Sequence, residues 1–392
     1  MNQTKLNIVA VTTSYPLHDK STSGIFVKFL IDEISKFHNI RVITADDNST
    51  KNAGDNITTF RYAPKAMQVL SHQPGGIPVA IAKSWTNRFL LIPFCLSLFI
   101  SAYFAAKKAD LIYANWSLTG LISGIAAKLA RKPCVTTLRG EDTKRLSTSL
   151  ASRLLTYLCI MFNKKIICVS SDMEVEIKSL FPDQKSKIQH IPNGVADYFF
   201  NMARRTPKTG AKLRILCVGS LIPRKDFITV IQALAICEQR NRVRLDILGE
   251  GIERKLLENE IRKLLLYDHV KLHGACHYAT VQQMMRDADI FVITSLSEGR
   301  PNVLIEAMAS RLPIIASRIN GITELITDDE NGILFPPGNR MALAQSLDLM
   351  VTSDELREQF ARQARNTIQM KGLTWKQCAI NYSDTFLDIK AR

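Results

Sequence analysis

Short, nearly continuous apolar runs alternate with stretches of helical periodicity along almost the whole chain. No other feature limits the fold as much. Leu6–Thr13, Ile40–Ala45, Asp110–Ala114, Cys134–Leu138 and Lys165–Ser170 lack the polar second register of a half-exposed strand. Strands of that kind are buried on both faces, as in a parallel sheet with helices on each side. Between them, Ile25–Phe37, Leu118–Arg131 and Leu146–Phe162 carry apolar residues at helical spacing. The rhythm pauses at the polar Tyr198–Lys212 stretch, which holds Pro207 and Gly210. It restarts with strands at Leu213–Gly219, Arg244–Leu248, Val270–Gly274, Ile290–Thr294 and Pro313–Ser317, and with helices at Asp226–Gln239, Ile252–Leu265 and Asn302–Ser310. The expected fold is α/β, with two Rossmann-like doubly wound domains facing across a cleft and a boundary near residues 195–212. A length of 392 residues suits two such domains.

The formal net charge is +15, and most of the excess falls before residue 200. That favours an anionic partner: a phosphorylated substrate, an anionic membrane surface or nucleic acid. No nucleic-acid motif accompanies the charge, so nucleic acid is not an expected partner. The eight cysteines form no C-x-x-C pair, and several sit inside apolar strands. They read as buried thiols of a reducing compartment rather than a disulfide frame or a zinc site. The N-terminus lacks the charged start, long apolar stretch and cleavage site of a signal peptide, which points to a cytoplasmic protein. Phe89–Ala106 is nearly uncharged but contains Pro93 and runs directly into the strand-like Asp110–Trp116. It reads first as a domain helix, second as a helix that also touches a membrane surface, and last as a membrane span.

Ligands of doubly wound sheets bind beyond the C-terminal ends of the strands, and four segments fall there. In Ser295–Ala309 (SLSEGRPNVLIEAMA), Glu298, Gly299, Arg300 and Pro301 form a turn after a strand, and a helix begins near Asn302. The amides of Asn302, Val303 and Leu304 are expected to face the cleft, where they favour phosphate or sugar oxygens. Glu298 and Glu306 then reach different parts of one ligand, as hydroxyl-accepting carboxylates. A turn glutamate and a helix glutamate alone would be unremarkable; the strand end, turn and helix start set them apart. In Val218–Phe227 (VGSLIPRKDF), Arg224 and Lys225 precede Asp226, a residue suited to an N-cap. Two cations at a helix start suit a diphosphate, and a departing diphosphate requires fixed positive charge or a metal. The alternative is a solvated basic turn. Gly249-Glu250-Gly251 follows a strand and flanks a nucleotide base or forms a plain turn. In Thr137–Asp142 (TLRGED), Arg139, Glu141 and Asp142 face an acceptor or make a structural ion pair. Gly24, before the first long helix, permits close approach of a ligand to the backbone. Asp287-Ala288-Asp289 has the D-x-D spacing of a metal motif but sits at the N-terminal end of a strand, facing away from the site. The histidines form no metal pattern, and no metal is expected.

Val218–Asp226 (VGSLIPRKD), Leu272–Gly274 (LHG), Ser297–Ala309 (SEGRPNVLIEAMA), Gly321–Ile326 (GITELI) and Asn331–Gly338 (NGILFPPG) together resemble the retaining GT-B glycosyltransferases of family 4, the group 1 glycosyltransferases. Ile191–Val195 (IPNGV) resembles the family's segment ahead of its second domain. The likeness covers nearly the whole chain, more specifically in the C-terminal half. It implies an acceptor-binding domain over 1–197, a nucleotide-sugar-binding domain over 198–372, and a helix over 373–392 that crosses back to the first. It further implies that Glu306 holds the nucleotide ribose, Glu298 contacts the transferred sugar, Lys225 stabilises the leaving diphosphate, and Asn302 and Val303 present backbone amides. Gly219, Gly299 and Pro301 shape the donor loops. Two positions depart from the family pattern. Ser220 stands where the family often has Arg, so that Arg224 is expected to supply that charge. Arg139 stands where it often has His.

The expected activity is thus a retaining, metal-independent glycosyl transfer from a UDP- or GDP-linked sugar, with no cofactor beyond that substrate. The expected acceptor is a glycan or polyprenyl-linked glycan in cell-surface polysaccharide biosynthesis, with the protein cytoplasmic or peripheral on the inner face of the membrane. The alternatives are a soluble transferase acting on a small metabolite and a nucleotide-sugar epimerase on a related fold.

Overall fold

The computed structural model describes residues 5–18, 24–46, 55–72, 76–143, 146, 148–202 and 211–391. Much of the polar stretch expected to separate the domains, Pro207 and Gly210 included, lies outside them. The chain forms two compact units, Met1–Asn193 with Trp375–Arg392, and Gly194–Thr374. It therefore crosses between units at Asn193, just ahead of the polar stretch, and again at Thr374.

The first unit holds a seven-stranded sheet in the order β3-β2-β1-β4-β5-β6-β7. Its strands are β1 (Asn7–Val11), β2 (Asn39–Ala45), β3 (Ile57–Phe60), β4 (Leu111–Asn115), β5 (Cys134–Leu138), β6 (Lys165–Cys168) and β7 (Ile188–His190). Every pairing is parallel, with Ile8 opposite Ile40 on one side and Leu111 on the other. β4 and β5 are buried at every position, as their unbroken apolar runs require. The short edge strands β3 and β7 carry too few apolar residues to stand out in the sequence.

The second unit holds a six-stranded sheet in the order β10-β9-β8-β11-β12-β13. Its strands are β8 (Leu213–Val218), β9 (Val243–Leu248), β10 (Val270–Gly274), β11 (Ile290–Ile293), β12 (Ile314–Ser317) and β13 (Ile333–Phe335), again all parallel. Strand order reverses between β8 and β11, so the helices that follow these two strands pack on opposite faces, with a crevice at the strand ends. In the first unit the reversal lies between β1 and β4.

The two crossing segments meet in the second unit, where the Val195 amide donates to the Leu373 carbonyl at 3.0 Å. Beyond Thr374 the helix Trp375–Ala391 packs on the first unit. Its Tyr382 ring lies edge-on to Tyr113, with centroids 5.5 Å apart, and its hydroxyl is 2.8 Å from Thr137 Oγ1. Ser383 meets the buried His38 at 2.8 Å. The terminal helix thus forms part of the first unit's core.

Candidate functional site

The crevice between β8 and β11 is built by two loops stitched through their backbones. After β8 the chain makes the turn Pro223–Lys225 and then the helix Phe227–Ile236. The Arg224 carbonyl accepts the Leu296 amide at 2.8 Å, and the Lys225 carbonyl accepts the Thr294 hydroxyl at 2.8 Å. Asp226 occupies the N-cap position expected of it, but in a left-handed conformation (φ 49°, ψ 44°) and with no bond from its side chain to a helix amide. Its carboxylate accepts the Thr229 hydroxyl at 2.7 Å instead. Left-handed backbone is tolerated by Asp better than by most residues, and here it turns the two preceding cations toward the β11 loop.

There both cations meet Glu298. Arg224 Nη1 donates to Oε2 at 2.9 Å, Lys225 Nζ donates to Oε1, and Ser295 Oγ donates to Oε1 at 2.7 Å. The Glu298 side chain is 7% exposed and that of Lys225 13%. Burial pushes the Glu298 carboxyl up, but Lys225 and Arg224 pull it down further, and the net shift is downward. Glu298 is therefore a carboxylate, and the cluster of two cations and one anion keeps a net positive charge. A shielded cluster of that sign, at a strand-order reversal, suits an anionic ligand.

The remainder of the β11 loop is held from below. Arg300 Nη1 bonds Glu324 at 3.3 Å, with the arginine side chain only 4% exposed. Gly321 has φ 78°, and a Cβ there would sit 2.3 Å from the Gly299 carbonyl oxygen. Pro301 is the N-cap of the helix Asn302–Ala309. The Leu304 amide bonds the Pro301 carbonyl at 3.1 Å, so it is not offered to a ligand as the sequence suggested. Asn302 and Val303 are half-buried at the helix start.

One turn further on, Glu306 Oε1 accepts the Tyr278 hydroxyl at 2.7 Å. Burial raises the Glu306 carboxyl to about 7, a rise that the Tyr278 bond opposes. Burial, followed by the charge of Glu306, keeps the Tyr278 phenol protonated. Tyr278 was not legible as a site residue: an aromatic at the start of the helix Tyr278–Asp287 reads as core, and only the fold brings it to Glu306.

The glycines of neighbouring loops serve the chain's own close packing. A Cβ on Gly249 would lie 1.8 Å from the Gly219 carbonyl oxygen, and one on Gly251 would lie 2.2 Å from that of Leu221. Gly249 thus seats the β8 loop. A Cβ on Gly219 would press on the Lys225 side chain at 3.4 Å. Ser220 lies beside Gly219, and its carbonyl accepts the Ile222 amide at 2.9 Å.

The first-unit candidates are engaged internally. Arg139 is 5% exposed. It donates to Asn115 at 2.8 Å and to Asn193 at 3.2 Å, and its guanidinium lies 4.6 Å from the centre of the Phe26 ring. Asp142, expected to face an acceptor or pair with a cation, instead accepts the Ser117 and Arg139 amides, each at 2.7 Å. It caps the helix Ser117–Leu129 from a distant loop. The Glu141 side chain lies outside the described atoms. Gly24 (φ 69°) approaches the chain itself closely: a Cβ there would sit 2.1 Å from the Ser14 carbonyl oxygen. Of the D-x-D pair, Asp289 accepts the Arg214 amide at 2.8 Å and Asp287 pairs with Arg214 and Arg286. Among the described residues no group of three or more His, Cys, Asp or Glu is placed to hold a metal ion.

Comparison with known proteins agrees with this geometry. The model of the family described as "Glycosyl transferases group 1" matches residues 200–367, and that of "Glycosyltransferase Family 4" matches residues 25–198. The UDP-Gal:alpha-D-GlcNAc-diphosphoundecaprenol alpha-1,3-galactosyltransferase of Escherichia coli is 30% identical over 311 residues, covering 74% of this chain and 79% of its own. The phosphatidyl-myo-inositol mannosyltransferase of Mycobacterium leprae is 28% identical over 64% of this chain and 66% of its own. Among solved structures, Anabaena HepE in complex with UDP and glucose superposes with a TM-score of 0.75 at 20% identity, over 98% of this chain and 100% of that one. Sucrose-phosphate synthase from Thermosynechococcus elongatus gives 0.78 at 18% identity, over 98% and 99%. The chain has the GT-B fold and belongs to the group 1 glycosyltransferases of family 4.

Proposed function

We propose that this glycosyltransferase moves a sugar from a UDP- or GDP-linked donor to a polyprenyl-linked glycan in cell-surface polysaccharide assembly, on the cytoplasmic side of the membrane. Transfer proceeds with retention of configuration and without a metal. The observation that carries the proposal is the half-buried cluster of Arg224, Lys225 and Glu298 at the β8–β11 reversal, with its net positive charge. The E. coli relative supports the class of acceptor, since its name specifies a UDP-linked donor and a diphosphoundecaprenol-linked one.

In this mechanism the donor diphosphate draws Arg224 and Lys225 off Glu298, and the released carboxylate accepts hydroxyls of the sugar. Glu306 accepts ribose hydroxyls. The bond from the anomeric carbon to the diphosphate oxygen breaks as negative charge grows beside Lys225, where a fixed cation stabilises it. The acceptor oxygen bonds the same face of the anomeric carbon, and its proton passes to the departing diphosphate oxygen. No protein nucleophile is required.

A panel of nucleotide sugars, each with and without a polyprenyl-diphosphate-linked sugar, tests the proposal. One donor should give a glycosylated lipid with retained configuration in the presence of a chelator. Lys225→Ala should lower kcat by about 10²–10³-fold, the size of losing one fixed charge-stabilising group. Transfer to small soluble acceptors alone, an inverted product, or wild-type turnover by Lys225→Ala would each overturn part of it.

A further inference from the structure

Three helices cover one face of the first unit's sheet side by side: Leu91–Ala106, Ser117–Leu129 and Leu150–Phe162, the second packing against both others. None contains an aspartate or glutamate. That is unusual for helices that meet water, whose outer faces normally carry charges of both signs.

The outer faces are apolar instead. On Leu91–Ala106 the inner face is fully buried at Phe94, Leu98, Ala102 and Ala106, while Ile92, Leu96 and Phe104 are 72%, 59% and 61% exposed. On Leu150–Phe162, Leu150, Leu154 and Met161 are 81%, 58% and 46% exposed. Leu129, 62% exposed, ends the helix between them. A large exposed apolar patch marks an interaction site.

Charge identifies the occupant. Three helices that each precede a strand of one parallel sheet end at the same end of that sheet. Lys107 and Lys108, Lys128 and Arg131, and Lys164 follow or close their respective helices there, all exposed. Lys187 nearby has its ammonium pKa lowered by burial, and then by Lys164 and Lys128, so these cations act on one another. Asp110, on the same edge, is committed to Asn7 and Lys390. A second copy of the chain would bring one cationic rim against another and has no acidic group on these helices to answer it.

We propose that this face docks on an anionic lipid bilayer, with Leu91–Ala106 and Leu150–Phe162 lying in the plane of the surface and their apolar faces in the headgroup–acyl boundary. The stretch Thr86–Ala106 is long and apolar enough to cross a membrane. Spanning would strip Phe94 and Leu98 from the sheet they seal, so the helix lies on the membrane and does not cross it. The inference rests on the lipid-linked acceptor proposed above and names the surface that delivers it.

The test is co-sedimentation of the full chain with vesicles of phosphatidylcholine alone or containing about a third phosphatidylglycerol. Binding should favour the anionic vesicles, weaken with salt, and be reversed by alkaline carbonate. The triple variant Ile92→Glu, Leu96→Glu, Leu154→Glu, and separately Lys107→Glu with Lys108→Glu, should each bind at least about tenfold more weakly. Both should retain donor hydrolysis, which separates loss of docking from failure of the donor assignment. As a reading on the unaltered chain, Trp85, 70% exposed beside Phe89, should be quenched by brominated lipid, and Trp85→Phe should abolish most of that quenching. Wild-type protein left in the supernatant with both vesicle types would overturn the proposal. So would carbonate-resistant retention, or a lipid-free dimer that the triple variant dissociates.

Discussion

At the scale of single residues, Glu306 has the most testable chemistry, because its carboxyl titrates near 7 and its partner Tyr278 cannot take its proton. Ribose hydroxyls bind the ionised form best, so donor affinity should rise with pH through about 7 and level off above it. Isothermal titration with UDP across this range checks the slope, which Glu306→Gln should flatten. Tyr278→Phe removes a bond that favours the carboxylate, so the midpoint should move upward; a downward shift would contradict the pairing. Stability should run the opposite way. A carboxyl raised in the folded state holds its proton where the unfolded chain has lost it. Its unfavourable contribution therefore grows as pH climbs from about 4.5 through 7. Glu306→Gln should accordingly be the more stable protein at pH 8, by roughly 1 kcal/mol or more in urea unfolding, and lose that advantage below pH 5. Glu306 itself was readable in the sequence from its place in a helix after a strand and a turn. Its pKa was not, because that depends on what closes over it. Likewise Arg224, Lys225 and Glu298 each stood out, but their pairing into one cluster follows only from β8 and β11 being neighbours.

At the scale of elements, the terminal helix and the loop glycines make separable predictions. Tyr382 is fully buried against Tyr113 and Phe386. Tyr382→Ala should destabilise the first unit by about 3–5 kcal/mol, as large aromatic truncations do. Tyr382→Phe loses only its hydroxyl's bonds, to Thr137 and Tyr113, and should cost about 1–3 kcal/mol, since it leaves buried partner groups less satisfied. Urea melts of both variants decide this; equal, small effects would mean that the helix is an appendage. Gly24→Ala and Gly249→Ala put a methyl group against fixed backbone oxygen and should be far more damaging than Gly338→Ala, whose Cβ meets nothing within 4 Å. The central strands were legible because burial on both faces leaves an unbroken apolar run. The short edge strands β3, β7 and β13 were not read as strands, and at Gly24 and Gly249 the sequence did not show the close approach to another loop that the fold imposes.

At the scale of the whole molecule, each unit has its own sheet, core and strand-order reversal, yet the two reversals are furnished differently. In the second unit the reversal presents charge: two cations and a carboxylate, with a titratable glutamate in the following helix. In the first, the end of β4 and the helix start after it are engaged by the loop that follows β5, with Arg139 tied to Asn115 and Asn193 and Asp142 capping Ser117–Leu129. A nucleotide should therefore bind chiefly to the second unit. Ligand binding protects amides in proportion to the free energy it adds to the structure that holds it, about 2.7 kcal/mol at a hundredfold excess over Kd, or roughly a hundredfold slower exchange. Hydrogen exchange with saturating UDP should show that protection in Gly219–Phe227 and Ser295–Ala309, with β1 and β4 little changed. Lys225→Ala should reduce it in both loops together, because the Leu296 amide and the Thr294 hydroxyl bind the two into one piece. Protection of β1 and β4 equal to that of the second-unit loops would mean that nucleotide contacts extend to the first unit, and that the division of labour drawn from the two reversals is wrong.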